Sequence, residues 1–179
     1  MVKKIVKVKD PRLRKGSKKI QKVDKKVKAL IADLTDTLIN QKDPEGVGLA
    51  APQIGKNLRL FVMKLKGKAR VFINPKIVST SVKGIKKVSQ KKTYSAKKIM
   101  EGCLSLPHFY GPLSRPNNLK LKFINEAGKK AVETFDGFEA QIIQHEIDHL
   151  NGILFIDRLL EQKKPLYELV NGEWEEVEL

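Results

Sequence analysis

An α+β fold is predicted for this chain, with antiparallel strands in small sheets packed around a central helix. Three observations predict it. Helical periodicity is confined to two long segments, 24–41 and 138–150. The stretches between and after them are short, alternating or wholly apolar, and punctuated by Gly, Pro and Asn-Gly. The resulting order of helix, strands, helix and hairpin is not the regular strand–helix alternation that builds a parallel sheet.

The basic segment 1–20 contains Pro11 and Gly16 and reads as an extended arm crossing the domain. In 24–41, Val23, Val27, Leu30, Ile31, Leu34 and Leu38 recur at three- and four-residue steps and form one apolar stripe. Asp43-Pro44 ends that helix. Gly46 to Gly55 is expected as a Gly-bounded loop. Leu58–Met63 and Val71–Ile73 read as buried strands split by a turn near Gly67. Asn74-Pro75 is expected to bend the chain, with another strand starting at Lys76–Val78. Residues 79–98 carry seven lysines and no acid, which suits a loop or a solvent-facing hairpin insertion.

Glu101–Pro107 reads as a short strand closed by Pro107, followed by a loop through Gly111, Pro112 and Pro116. Leu119–Ile124 alternates, and Glu126–Gly128 turns it into a partner strand around Ala131–Phe135. The helix of 138–150 is introduced by Asp136-Gly137 and stopped by Gly152. Leu154-Phe155-Ile156 reads as core. Leu166–Val170 and Glu173–Val177 flank Asn171-Gly172, a strong two-residue hairpin signal over 166–177. No repeat or interdomain linker is seen, so residues 1–179 are read as one domain.

Composition narrows the function classes. Apolar residues make up 41% of the chain, enough for a core and too many for wholesale disorder. No apolar run of about 18 residues is present, which argues against a membrane-spanning helix. The start has no apolar h-region and is not a secretory signal. Its basic character leaves an organellar transit peptide as a competitor, although Asp10–Arg14 already reads as part of the domain. The single cysteine forbids an internal disulfide and fits a reducing cytoplasm. The net charge of +16 has two readings, a solvated Lys-rich surface, which is the commoner meaning of such a charge, and attraction to polyanions such as the ribosome surface. Few aromatics are interleaved with the lysines, so base stacking is not suggested, and DNA is not an expected partner.

The sharpest chemical feature is His145-Glu146-Ile147-Asp148-His149, an H-E-x-x-H pattern on a predicted helix. Residues four apart share a helical face, so both imidazoles can reach one ion. The ion would lower the pKa of water, and Glu146 beside it would move the proton. Asp148 has two readings, as an acceptor that orients a ligand histidine or as an exposed acid. A catalytic tetrahedral site needs a third protein ligand. Asp157 lies close downstream, but Cys103, flanked by Gly102 and Leu104, is the better candidate; on spacing alone a lone cysteine is more often a buried apolar residue. Gly46-Val47-Gly48-Leu49-Ala50-Ala51-Pro52-Gln53 lets a peptide backbone come close, and Gln53 offers an amide donor for an oxyanion. No Gly-Lys-Ser/Thr follows, which rules out a phosphate cradle.

Taken in order, Gly46–Gln53, Glu101–Ser105 and Gln144–His149 resemble the motifs of the peptide deformylases, Gly-x-Gly-Leu-Ala-Ala-x-Gln, Glu-Gly-Cys-Leu-Ser and Gln-His-Glu-x-Asp-His. Asp10–Arg14, Ile73–Pro75, Arg115-Pro116 and Leu150–Asp157 also look like that family, so the likeness covers most of residues 8–158. The resemblance implies one divalent ion on Cys103, His145 and His149, natively Fe(II) in much of the family with Ni or Zn able to replace it. It implies Glu146 as general base and then acid. Gln53 and the Leu104 N–H would stabilise the oxyanion, and Val47, Gly48 and Gly102 would pair with the substrate backbone. Val47 and Ile142 would wall a methionine pocket. The implied reaction removes the formyl group from formyl-methionine at the start of a nascent polypeptide, releasing formate, in a bacterial-type cytoplasm or an organelle and by a monomer. Transient ribosome association is expected from the basic surface, since the acidic C-terminal hairpin is not the basic docking helix that ends some family members. A zinc peptidase, a basic RNA-binding protein with a structural metal and a catalytically dead homologue are the competing readings. Cleavage of unformylated peptides favours the first, while Glu146 and an open fourth position argue against the second.

Overall fold

The computed structural model describes residues 1–65, 67–80 and 100–178. Most of the Lys-rich segment expected as a loop or hairpin lies outside these residues. The architecture is α+β, with two antiparallel sheets and three α-helices.

The arm runs extended apart from a 3₁₀ turn at Pro11–Arg14, where the Asp10 side chain accepts from the Arg12 N–H. Helix α1 spans Lys25–Asn40, and Asp24 caps it by accepting from the Val27 N–H at 2.9 Å. Its predicted stripe is the buried face: Val27, Leu30, Leu34 and Leu38 enter the core. Strands β1 (Gly48–Ala50), β2 (Leu60–Leu65), β3 (Lys68–Thr80), β6 (Asn118–Ile124) and β7 (Lys130–Asp136) form a five-stranded sheet in the order β1-β2-β3-β6-β7. Strands β4 (Glu101–Cys103), β5 (Leu106–Gly111), β8 (Leu166–Val170) and β9 (Glu173–Val177) form a second sheet in that order. Helix α2 is Gly137–Leu150 and α3 is Phe155–Glu161.

The alternation of side chains along β2 and β3 explains the layering. Leu60, Val62, Val71 and Ile73 face α1, whereas Phe61, Met63 and Phe72 face α2. Both faces of these strands are covered, which is why the sequence there is continuously apolar rather than alternating. Phe61 stacks on Phe72 with ring centroids 4.7 Å apart, at the centre of the α2 side. A smaller cluster of Cys103, Leu113, Phe155, Leu159 and Leu166 closes the second sheet against α3. Helix α2 is therefore buried along most of its length, with His145 to Leu150 all inside.

Three expectations are corrected and a fourth is extended. Asn74-Pro75 does not end a strand. β3 runs through it, and a register shift between Ile73 and Lys76 accommodates the proline, which has no N–H for the ladder. The segment Gly46 to Gly55 is not all loop but contains β1 and a 3₁₀ turn at Ala51–Ile54. Glu101–Pro107 is not one strand: the chain turns after Cys103 and Pro107 lies inside β5. Leu154-Phe155-Ile156 is core, but it opens helix α3, whose first turn is closed by the Asp157 carboxylate accepting from the Leu154 N–H at 2.8 Å.

Candidate active site

Three elements bring the predicted residues together. Helix α2 supplies His145, Glu146 and His149, strand β4 supplies Gly102 and Cys103, and β1 with the 3₁₀ turn after it supplies Gly48 and Gln53. The arm fastens the last two elements, because Val6 donates to the Gln53 carbonyl and Val8 to the Ser105 carbonyl, each at 2.9 Å.

Cys103 Sγ lies 3.2 Å from His149 Nε2, and one donor atom from each of Cys103, His145 and His149 falls within 4.8 Å of the others. Ligands at ordinary metal–sulfur and metal–nitrogen distances sit about 3.5 Å apart around a tetrahedral ion, so the observed grouping fits one. The protonation chemistry fits as well. Burial opposes ionisation of the Cys103 thiol, but His149 and His145 outweigh it and hold the thiol well below its usual value. A thiolate is the form that binds metal. Among the described residues no second group of this kind is present.

His145 is aimed by Glu101, which pairs with Nδ1 at 2.8 Å and leaves Nε2 able to ligate an ion. Burial acts to raise the Glu101 carboxyl, yet Arg115 and His145 hold it well below the usual range. Arg115 donates to Glu101 through two bonds of 2.7 Å and to Asp148 through one of 2.9 Å. Asp148 also takes two bonds from Arg158, at 2.7 and 3.2 Å. Neither reading of Asp148 holds: it is buried, and it anchors arginines rather than a histidine. Glu101 and Arg115 were not singled out for this role, and no spacing signal could have found them, because they are paired only by the fold.

Glu146 faces the same cavity. Burial pushes its carboxyl up to about 7, and Oε2 is buried without a hydrogen-bond partner among the described residues. A cation beside it would favour the carboxylate. Gly48 is required next to it, since a Cβ there would collide with Glu146 Oε1 and come within 2.9 Å of Ile142 Cγ2. The Gln53 side chain is 1% exposed. Its oxygen accepts from the Ala50 N–H at 2.8 Å, which points its NH₂ at Cys103 Sγ (3.6 Å) and Ser105 Oγ (3.3 Å). The cavity above these groups has a volume of about 240 Å³, and Val47, Gly48, Gly102, Leu104 and Ile142 all line it. All ten predicted site residues therefore lie in or beside one cavity.

A buried Cys/His/His cluster with a carboxylate alongside, beneath a small cleft, defines the class: a metal-dependent hydrolase. The particular family follows from comparison with known proteins. The family profile described as Polypeptide deformylase matches residues 2–165. The peptide deformylase of Pseudothermotoga lettingae is 42% identical over 175 residues, covering 95% of this chain and 93% of that protein. Among solved structures, a peptide deformylase from Legionella pneumophila is 38% identical with a TM-score of 0.75, covering 89% of this chain and 86% of that one. One from Synechococcus elongatus in complex with actinonin is 34% identical with a TM-score of 0.72, covering 86% and 76%. The chain belongs to the peptide deformylase family.

Proposed function

We propose that this protein hydrolyses the N-formyl group of formyl-methionine at the amino terminus of nascent polypeptides and releases formate. The observation that carries the reading is the buried Cys103–His145–His149 cluster with Glu146 beside it under the cavity, in a chain of this family. Cys103, His145 and His149 hold one divalent ion, natively Fe(II), with Zn or Ni as substitutes. The ion supplies Lewis acidity that brings the pKa of water down towards neutrality.

The rest of the chemistry falls to the chain. Glu146 takes a proton from water as oxygen adds to the formyl carbon. It returns that proton to the departing nitrogen when the C–N bond breaks. The Gln53 NH₂ and the Leu104 N–H donate to the oxyanion formed on the formyl group. Val47, Gly48 and Gly102 hold the peptide backbone as an added strand, and Ile142 with Val47 walls the methionine side chain. Gly48 keeps the site tight enough to favour formyl over larger acyl groups. The setting is a bacterial-type cytoplasm, with the chain acting as a monomer and its basic surface giving transient ribosome contact. No helix of the described residues is long and apolar enough to cross a membrane.

The test is formate release from formyl-Met-Ala-Ser by protein reconstituted anaerobically with Fe(II) or Ni(II), alongside a Cys103→Ala control. Ion-dependent turnover that the substitution abolishes is expected. Stoichiometric ion with no turnover, or cleavage of unformylated peptides instead, would overturn the reading.

A further inference from the structure

Among the described residues, nothing covers the outer face of the five-stranded sheet past Ile73. Helix α1 and the arm pack over β1, β2 and the first half of β3, where Leu60, Val62, Val71 and Ile73 point. Beyond them the outward residues of β3, β6 and β7 lie in two rows set by the strand register. Lys76, Lys122 and Val132 form one row, and Ser79, Lys120 and Thr134 form the next. All six are exposed, whereas Leu121, Phe123 and Phe135 beside them point the other way, into the core beneath α2. The sequence of β6 shows the division: Leu119, Leu121 and Phe123 are buried, and Lys120 and Lys122 between them are exposed.

The charge on this face is of one sign. Lys76 and Lys122 are direct cross-strand partners, a pairing of like charges that costs stability in a sheet. Lys130 stands opposite Ile124 in the row above. None of Lys76, Lys120, Lys122 and Lys130 forms a salt bridge among the described residues. The acids of these strands lie elsewhere or at the margins. Glu133 faces the core side, where it pairs with Arg70; Glu126 is in the β6–β7 turn and Asp136 is at the end beside α2. A recess of about 330 Å³ opens at the head of the face, between the Ile73–Ile124 pair, the Ala127-Gly128 turn and the arm, and Lys22 in its wall carries the basic strip across to the arm. From Lys120 to the row of Lys130 the strip runs four residue steps along β6, about 13 Å.

We propose that this open face binds the sugar–phosphate backbone of RNA without regard to sequence, with phosphates held over Lys76, Lys120, Lys122 and Lys130. A polyanion laid across the strands replaces the Lys76–Lys122 repulsion with attraction shared by both. Lysine is a flexible point charge that takes a phosphate without fixing its orientation, which suits backbone contact and not base readout. The two rows hold no aromatic ring, so bases have nothing to stack on. A membrane surface fits less well, because it takes apolar side chains to insert and this face offers only Val78 and Val132, 55% and 51% exposed. Helix α2 and the cavity lie on the other side of the sheet, so bound RNA leaves the cavity open. The ribosome contact proposed above thereby acquires a place on the molecule, while the binding itself does not depend on the deformylase reading.

The experiment follows binding of a fluorescein-labelled RNA hairpin to the holoenzyme by anisotropy, between about 50 and 200 mM salt. A face variant, Lys76→Gln with Lys120→Gln and Lys122→Gln, is compared with a control, Lys15→Gln with Lys56→Gln and Lys163→Gln, which loses the same charge from exposed lysines elsewhere. The face variant should bind about tenfold or more weakly, with a log–log salt slope shallower by about 2–3, and the control should shift by less than about threefold. Formate release from formyl-Met-Ala-Ser should be unchanged in the face variant, and unchanged in the unaltered holoenzyme saturated with hairpin. Where the face variant fails to fold, acetylation of the unaltered holoenzyme read by mass spectrometry serves instead: the hairpin should protect Lys76 and Lys122 well above Lys15 and Lys56. Equal weakening in both variants, equal protection of all four lysines, or competition between hairpin and tripeptide overturns the proposal. A face variant that loses binding to vesicles of phosphatidylglycerol and phosphatidylcholine but keeps the hairpin overturns it in favour of a lipid surface. No formate from the unaltered holoenzyme would sink the deformylase reading and not this face.

Discussion

Replacing Arg115 with methionine tests whether His145 is held in place by an ionic relay. The Arg115 side chain is 9% exposed and bridges two carboxylates that are 5% and 8% exposed. Asp148 would keep its bonds from Arg158 after the substitution. Glu101 would keep only His145 and a 3.3 Å bond from Gln141, so the uncompensated charge falls on Glu101. Removing one partner of a buried pair costs about 3–5 kcal/mol, and loss of support behind a ligand histidine lowers metal affinity about 10–100-fold. Urea unfolding of the ion-free protein followed by circular dichroism measures the first quantity, and Ni(II) titration against a competing chelator measures the second. Adding Glu101→Gln removes the stranded charge and should recover at least about 1.5 kcal/mol, a coupling of the size expected for one network. A loss under about 1 kcal/mol with unchanged Ni(II) affinity, or strictly additive losses, would refute the claim that Arg115 acts through Glu101.

Two further outcomes are expected. Gly48→Ala should leave the ion bound, as checked by metal analysis, while formate release falls by about 100-fold or more, because the added methyl displaces the Glu146 carboxylate from the proton path. Glu146→Gln should bind the ion with turnover lower by about 10²–10⁴-fold, and its ion-free form should show a pH-dependent stability gain. Burial raises the folded carboxyl to about 7, so the parent loses stability as pH rises from the unfolded value of 4.5 through 7. The glutamine variant escapes that loss. It should be more stable by up to about 3 kcal/mol at pH 8, with the gap closing by pH 5, read from unfolding midpoints across pH.

How much was legible in the sequence depended on the range of the interaction that forms each element. Helix α1 declared itself because one stripe repeats over four turns and Asp24 caps it. The C-terminal hairpin declared itself because Asn171 and Gly172 both take positive φ, 51° and 87°, which few other residue pairs tolerate. The Cys/His/His cluster was readable as to its histidines, since helical spacing alone puts them on one face; Cys103 needed family resemblance, because its approach to His149 is made by a sheet 46 residues away in sequence. The misses share a cause. Strand β1 is Gly-Leu-Ala, poor strand formers, and exists because Gly48, Leu49 and Ala50 pair with Met63, Val62 and Phe61. β5 tolerates Pro107 near its start beside a register shift after Gly102. Helix α3 is only seven residues long and apolar at its start, so local periodicity could not separate it from core.

The same distinction bears on why the site needs two sheets rather than one. On the α2 helix the two histidines and Glu146 are fixed relative to one another by helix geometry and by the buried isoleucines around them, Ile143 and Ile147. Nothing local fixes Cys103 or Gln53 relative to α2. Cys103 arrives on the edge strand of the second sheet, whose position against α2 is set by α3 and by the Arg115 relay. Gln53 arrives on the first sheet through β1, and the arm ties it to the β4 side by its bonds to Gln53 and Ser105. The cleft lies where the two sheets meet over α2, so its floor is rigid by virtue of the helix and its two walls are rigid only through these cross-links. Changes in the arm or in the relay should therefore alter ion affinity and oxyanion geometry before they alter the fold, whereas changes in the α2 core should do the reverse.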